Sequence, residues 1–135
     1  MNFKKTTSYS LSILSFMAKN PGQTVSADTL HEALEIPYQY LRSMLTALSR
    51  NGFISGSRGR TGGFLLRKKP EDILLYDIVV NIEGAEVFNK CIMGFESCPF
   101  NNVCPMHDIW KSARTGLEKN LRSMSLQDLV AKSVK

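Results

Sequence analysis

Apolar residues recur first at helical and then at strand spacing, and the order of these periods predicts the fold. Leu11, Leu14, Met17 and Ala18 stand three and four residues apart ahead of the breaker Asn20-Pro21-Gly22, predicting a first helix over about Thr7 to Lys19. Ser26 suits the cap of a short second helix, Ala27 to Leu34, with Ala27, Leu30, Ala33 and Leu34 turned inward. Pro37 has no amide hydrogen to leave unbonded and so suits the first position of a third helix. Tyr40, Leu41, Met44, Leu45 and Leu48 recur along that helix, and Gly52 stands where a left-handed cap is needed. Only Glu35-Ile36 separates the second helix from Pro37, as in a helix-turn-helix.

The texture then changes. Phe53 to Ser57 and Phe64 to Arg67 are strand-like. Between them lies Arg58-Gly59-Arg60-Thr61-Gly62-Gly63, whose three glycines supply the positive φ angles of a hairpin loop. Helix, short helix, helix and hairpin is the order of a winged helix, with the hairpin as the wing. Ile73, Leu74, Ile78, Val79 and Ile82 predict a fourth helix from Glu71 to Glu83, closing at Gly84. Residues 85–103 lack periodicity. From Pro105 the helical signal returns, with Ile109, Trp110, Ala113, Leu117, Leu121 and Met124 on one stripe and Lys111, Arg114, Glu118, Lys119 and Arg122 mostly off it. Ser125 to Val130 reads as a last short helix. The expected fold is mainly α with a small β-hairpin: a winged helix-turn-helix over residues 1–84, a cysteine-bearing loop over 85–104, and a long helix with a short terminal one over 105–135.

Composition narrows the class. The 135 residues, 43% hydrophobic and 21% charged, have the balance of one globular domain and exclude disorder throughout. No apolar run approaches the roughly 20 residues of a membrane span. Polar residues interrupt the N-terminal stretch MNFKKTTSYSLSILSF, so no signal peptide is expected and the expected location is cytoplasmic. No Ser/His/Asp set, phosphate-cradling loop or carboxylate pair stands out, and His31 and His107 are far apart in sequence, so an enzyme is not expected.

Charge is unevenly placed. Residues 1–70 hold ten Lys and Arg against three acids, a net +7, whereas residues 71–135 hold seven against nine, a net −2. The basic half suits a polyanion. Tyr38, Gln39, Arg42 and Ser43 are the outward residues at the start of the third helix, where a major-groove helix meets base edges. Gln pairs with adenine and Arg with guanine. A solvated helix surface would carry the same residues. Arg58 and Arg60 at the loop tip suit a narrow minor groove or phosphates, although an ordinary charged turn would also hold them. Lys4 and Lys5 are further candidates for phosphate contact.

Three cysteines cannot close an intramolecular disulfide framework. Six residues separate Cys91 from Cys98, five separate Cys98 from Cys104, and His107 follows after two more. Thiolates and an imidazole ligate zinc or iron–sulfur clusters. Gaps wider than Cys-x-x-Cys suit a loop wrapped around a larger inorganic core. Redox thiols, or cysteines without a role, are the alternatives. Phe64 and Trp110 read as core residues.

The ordered set resembles the IscR/NsrR/RirA/CymR family of bacterial winged-helix transcription regulators. The resemblance rests on Tyr9-Ser10-Leu11, Ile36-Pro37-Tyr38-Gln39-Tyr40-Leu41, Arg50-Asn51-Gly52-Phe53-Ile54, Arg58 to Phe64, Asp77-Ile78-Val79, Ile82-Glu83-Gly84, the three cysteines and Cys104 to Trp110. It implies a homodimer in which the long helix, Pro105 to about Met124, is the dimerisation helix, and binding of palindromic double-stranded DNA. It also implies that Cys91, Cys98 and Cys104 hold an iron–sulfur cluster, 2Fe–2S or 4Fe–4S, whose state couples DNA affinity to iron, oxygen, redox state or nitric oxide. His107 matches the histidine of the IscR branch, whereas Ser8 stands where the nitric-oxide-sensing branch has an aspartate ligand. The chain departs from the family in its wing, where Arg60-Thr61 replace Pro-Gly and Phe64 replaces Tyr. Arg42 stands where the IscR branch has glutamate, so a different DNA preference is expected. A regulator of this kind switched by thiol oxidation or holding structural zinc is the alternative, with a winged-helix protein-interaction module as the third reading.

Overall fold

Helix α1, Lys5–Ala18, lies at the centre of the fold because the C-terminal half of its inner face is apolar: Ile13, Leu14, Met17 and Ala18 are all buried. The computed structural model describes residues 3–57, 62–101 and 103–133. After α1 come α2 (Ala27–Leu34), α3 (Tyr38–Arg50), strands β1 (Ile54–Ser57) and β2 (Gly63–Leu66), α4 (Leu75–Glu83), α5 (Pro105–Ser123) and α6 (Leu126–Ser133). Single 3-10 turns at Pro70–Asp72 and Ala85–Asn89 flank α4.

Local signals set several boundaries. Ser26 caps α2, its hydroxyl accepting from the Thr29 amide at 3.1 Å. Glu35 ends that helix in the left-handed region at φ 55°, which makes the connection to Pro37 short. Pro37 precedes α3 as its cap, and Gly52 turns at φ 84° after it. Of the expected apolar stripe on α3, Leu41, Met44, Leu45 and Leu48 are buried, whereas Tyr40 is 51% exposed. On α2 only Leu30 is buried; Ala33 faces solvent.

The hairpin pairs β1 with β2 antiparallel, Ile54 opposite Leu66 and Ser57 opposite Gly63. Val25 adds a bridge to Phe64 on the outer side, with N–H···O distances of 2.8 and 2.7 Å. Gly63 permits this approach: a Cβ there would lie 2.7 Å from the Val25 carbonyl oxygen. Gly63→Ala is therefore expected to cost about 1–3 kcal/mol, read as a lower midpoint of thermal unfolding.

The fourth helix starts later than its apolar pattern suggests. Pro70–Asp72 is a 3-10 turn, and Ile73-Leu74 is extended. Long-range pairing accounts for this: the Leu75 amide donates to the Met124 carbonyl at 2.9 Å, and the Leu126 amide donates to Ile73 at 2.7 Å. That pairing returns α6 to the winged helix. Leu126 and Val130 are buried in the same core as Ile13, Leu30, Leu41 and Ile78. Ser125 and Asp128 form a reciprocal capping box, each side chain accepting from the other's amide, at 2.9 and 3.1 Å.

Helix α5 behaves differently. Its 19 residues include none that is buried, and Ile109 is 60% exposed on its apolar stripe. It is tied to α4 near its end, where the Arg122 guanidinium lies 4.0 Å from the Tyr76 ring centroid and donates to the Tyr76 hydroxyl at 2.9 Å. Among the described residues, no helix is long and apolar enough to cross a membrane.

Candidate DNA-reading helix and cysteine cavity

Burial of Leu41, Leu45 and Leu48 on the inner face of α3 turns Gln39, Arg42 and Ser43 out to solvent. Tyr38, the first residue of α3, is 37% exposed but well engaged. Its ring stacks on His31 of α2, with centroids 3.9 Å apart and planes 23° from parallel. Its hydroxyl donates to the Asp28 carboxylate. That hydrogen bond, which favours the protonated phenol, holds the Tyr38 pKa above its ordinary value. The Arg42 guanidinium lies 5.9 Å from the same ring. His31 is itself fixed, Nδ1 standing 2.7 Å from the Ile36 carbonyl oxygen; an acceptor there requires Nδ1 to carry the proton. Sequence reasoning placed Tyr38 among the outward residues but missed its partners, because Asp28 and His31 are three residues apart on another helix.

Arg58 and Arg60, the two loop-tip candidates, lie outside the described residues. Lys4 and Lys5 are exposed, with the Lys5 ammonium 5.7 Å from the Tyr9 ring centroid.

The second group of candidates converges. Cys91, Cys98, Cys104 and His107 all border one half-open cavity of about 570 Å³ between the segment after α4 and the first turns of α5. All four are half-buried, and no disulfide joins the cysteines. Among the described residues, no three His, Cys, Asp or Glu side chains stand close enough to grip a single metal ion. The four side chains border a space rather than a point. Two backbone bonds shape it: the Gly94 amide donates to Cys91, and the His107 amide to Cys104, each at 3.0 Å. The positive φ of Gly94, 90°, turns the chain between the first two cysteines.

Trp110 also lines this cavity. Expected as a core residue, it is half-buried, and its indole Nε1 donates to the Lys90 carbonyl at 2.8 Å, pinning the start of the cysteine segment to α5. Phe64 is half-buried and packs against the main core. Arg114 lies one turn beyond Trp110 and completes that side of the cavity.

Residues 3–132 match the family described as Rrf2, iron-dependent transcriptional regulator. The chain belongs to the Rrf2 family. Among its relatives is the HTH-type transcriptional regulator NsrR of Halalkalibacterium halodurans, 30% identical over 135 residues, covering 96% of this chain and 90% of that protein. The regulator IscR of Photorhabdus laumondii is 29% identical over 101 residues, covering 75% of this chain and 61% of that one. The structure of CymR, the global cysteine regulator of Bacillus subtilis, superposes with a TM-score of 0.80 at 23% identity, covering 98% of each chain. The winged-helix fold expected from the sequence is thus the fold observed. Rrf2 proteins are transcriptional regulators rather than enzymes, and this chain is a DNA-binding regulator.

Proposed function

We infer that this Rrf2 regulator binds palindromic DNA as a homodimer and adjusts its operator affinity through an iron–sulfur cluster held by Cys91, Cys98, Cys104 and His107. The observation that carries this reading is the convergence of all three thiols and the imidazole on one cavity. The donor chemistry fits such a group, and a cavity of this volume suits a core larger than a single ion. A bound cluster would supply a centre sensitive to iron supply, redox state and nitric oxide, and DNA repression is the output we assign to it.

The residues of the chain supply the rest. Gln39, Arg42 and Ser43 face the major groove from α3, with Tyr38 at its first turn, and Arg58 and Arg60 reach the adjacent backbone or minor groove. Residues 1–84 form the reading unit, residues 85–104 hold the three cysteines, and residues 105–135 carry His107 and the dimerisation helix. The stripe of Met106, Ile109 and Leu117 on α5 is exposed and apolar, as a helix crossing its twin requires. Lys90 and Trp110 link the donor segment to α5. A change in the order of residues 91–104 therefore reaches the angle between α5 and the reading unit. Cytoplasmic placement accords with reduced thiols.

Anaerobic purification tests the reading. Expected are visible absorbance, stoichiometric iron and sulfide, a dimer in solution, and quenched emission of Trp110, the single tryptophan, whose ring borders the cavity. Emission should rise when iron is removed. A colourless, iron-free protein that carries zinc, or one that binds its DNA according to thiol oxidation alone, overturns the cluster. Binding that is absent or insensitive to added salt overturns the DNA reading itself.

A further inference from the structure

We propose that Tyr38 is a positioning residue: held on α2 by His31 and Asp28, it fixes Arg42 over its ring and so sets which base pair Arg42 prefers. The proposal rests on the reading of α3 as the DNA-reading helix.

Three observations converge on this one side chain. Asp28 and His31 are one helical turn apart and present one face of α2, and Tyr38 and Arg42 are one turn apart on α3. The short connection through Glu35 brings these two faces together. Asp28 takes the phenol hydroxyl and His31 takes the ring face. The His31 ring cannot swing away without losing its bond to the Ile36 carbonyl, which lies within the turn itself. Tyr38 is thus anchored at both its polar and its apolar part, although it lies at the protein surface.

Arg42 meets that anchored ring, its guanidinium 5.9 Å from the centroid. An arginine has a long, rotamer-rich side chain, and docking it on a base edge costs conformational entropy. A guanidinium resting over an aromatic face is held in few orientations while its five N–H donors remain directed outward. The ring therefore supports the arginine, while Asp28 stays engaged by the phenol hydroxyl.

Binding measurements with the full chain, all proteins purified anaerobically in one cofactor state, test the proposal. Selection of wild-type protein on a randomised-core DNA duplex yields a bound sequence; each half-site base pair is then changed in turn and binding measured at fixed salt. R42A is expected to flatten the preference at one base pair, which identifies its contact. Y38A is expected to flatten the preference at that same pair by about fivefold or more, the lower end of what a bidentate base contact discriminates. Y38F keeps the ring and should retain most of that preference. If Y38A does not fold, Y38L, which keeps apolar bulk on His31 without an aromatic face for Arg42, carries the same expectation. Equal loss on every duplex, or an unchanged preference at the Arg42 pair, overturns the proposal while leaving Arg42 a reader. If R42A changes no base preference, the reading of α3 fails first and the proposal falls with it.

Discussion

Replacing Cys91, Cys98 and Cys104 together by serine is expected to abolish the difference in operator affinity between iron-loaded and iron-stripped protein. Coupling between a cofactor site and a ligand site is typically 1–3 kcal/mol, so about 5- to 150-fold in affinity should collapse to within about twofold. The expectation follows from where the cysteines sit. None belongs to either hydrophobic cluster, and all three are half-buried around one cavity at the foot of α5. Their order can therefore change without disturbing the packing of α1, α3 and α4, while the attached α5 transmits the change. Half-sites for a helix-turn-helix dimer lie ~34 Å apart, a span over which a small rotation of α5 displaces each α3 appreciably. The same location predicts what should not change: the midpoint of thermal unfolding of the cofactor-free protein should move by no more than a few degrees. Fluorescence anisotropy at fixed salt, with thermal melts of each form, checks both parts. A triple variant whose affinity still responds to iron removal would place the sensor elsewhere.

The parts of this fold legible in the sequence are those set by local chemistry. Ser26 and Gly52 punctuate α2 and α3 with signals that need only their neighbours, and the structure places them accordingly, with Pro37 one position earlier than expected, as the cap of α3 rather than its first residue. The beginning of α4 was not legible, because Ile73 and Leu74 carry helical spacing but are held extended by residues 124–126. Tertiary pairing there overrides periodicity, and with it comes the return of α6 to the core. At the candidate site, residue type singled out the four side chains that converge on one cavity, but not that Trp110 borders it from α5. Tyr38 shows a similar limit: its position on α3 was evident, but its attachment to Asp28 and His31 depends on how two helices face one another.

Glu83→Ala is expected to be the most damaging single substitution outside the hydrophobic core, lowering stability by about 2–3 kcal/mol and the midpoint of thermal unfolding by roughly 10 °C. Helix α1 begins without a side-chain cap of its own and with no acid in its first turn. Glu83, the last residue of α4, supplies both. Its carboxylate accepts from the Lys4 amide and from the Thr7 hydroxyl, each at 2.5 Å, and it is buried with the Thr7 side chain. This is the role that a glutamate three residues into a helix plays in a capping box, performed here by a residue 79 positions away from the amide it satisfies. The negative charge also meets the positive end of the α1 dipole. Alanine would leave the Thr7 hydroxyl buried without its acceptor, which is why the loss should exceed that of an ordinary exposed cap. Glu83→Gln keeps an acceptor oxygen and loses the charge, so about half the effect is expected. Thr7→Val removes the donor, and the Glu83→Ala, Thr7→Val double variant should cost less than the two single costs combined, because both delete one interaction. Chemical denaturation of the four proteins measures that coupling; strict additivity would show that Glu83 does not act through Thr7. Gly84 follows Glu83 at φ 91° and leads directly into the segment that bears the cysteines. The carboxylate that secures the start of the central helix therefore also ends the helix from which the candidate sensor segment departs.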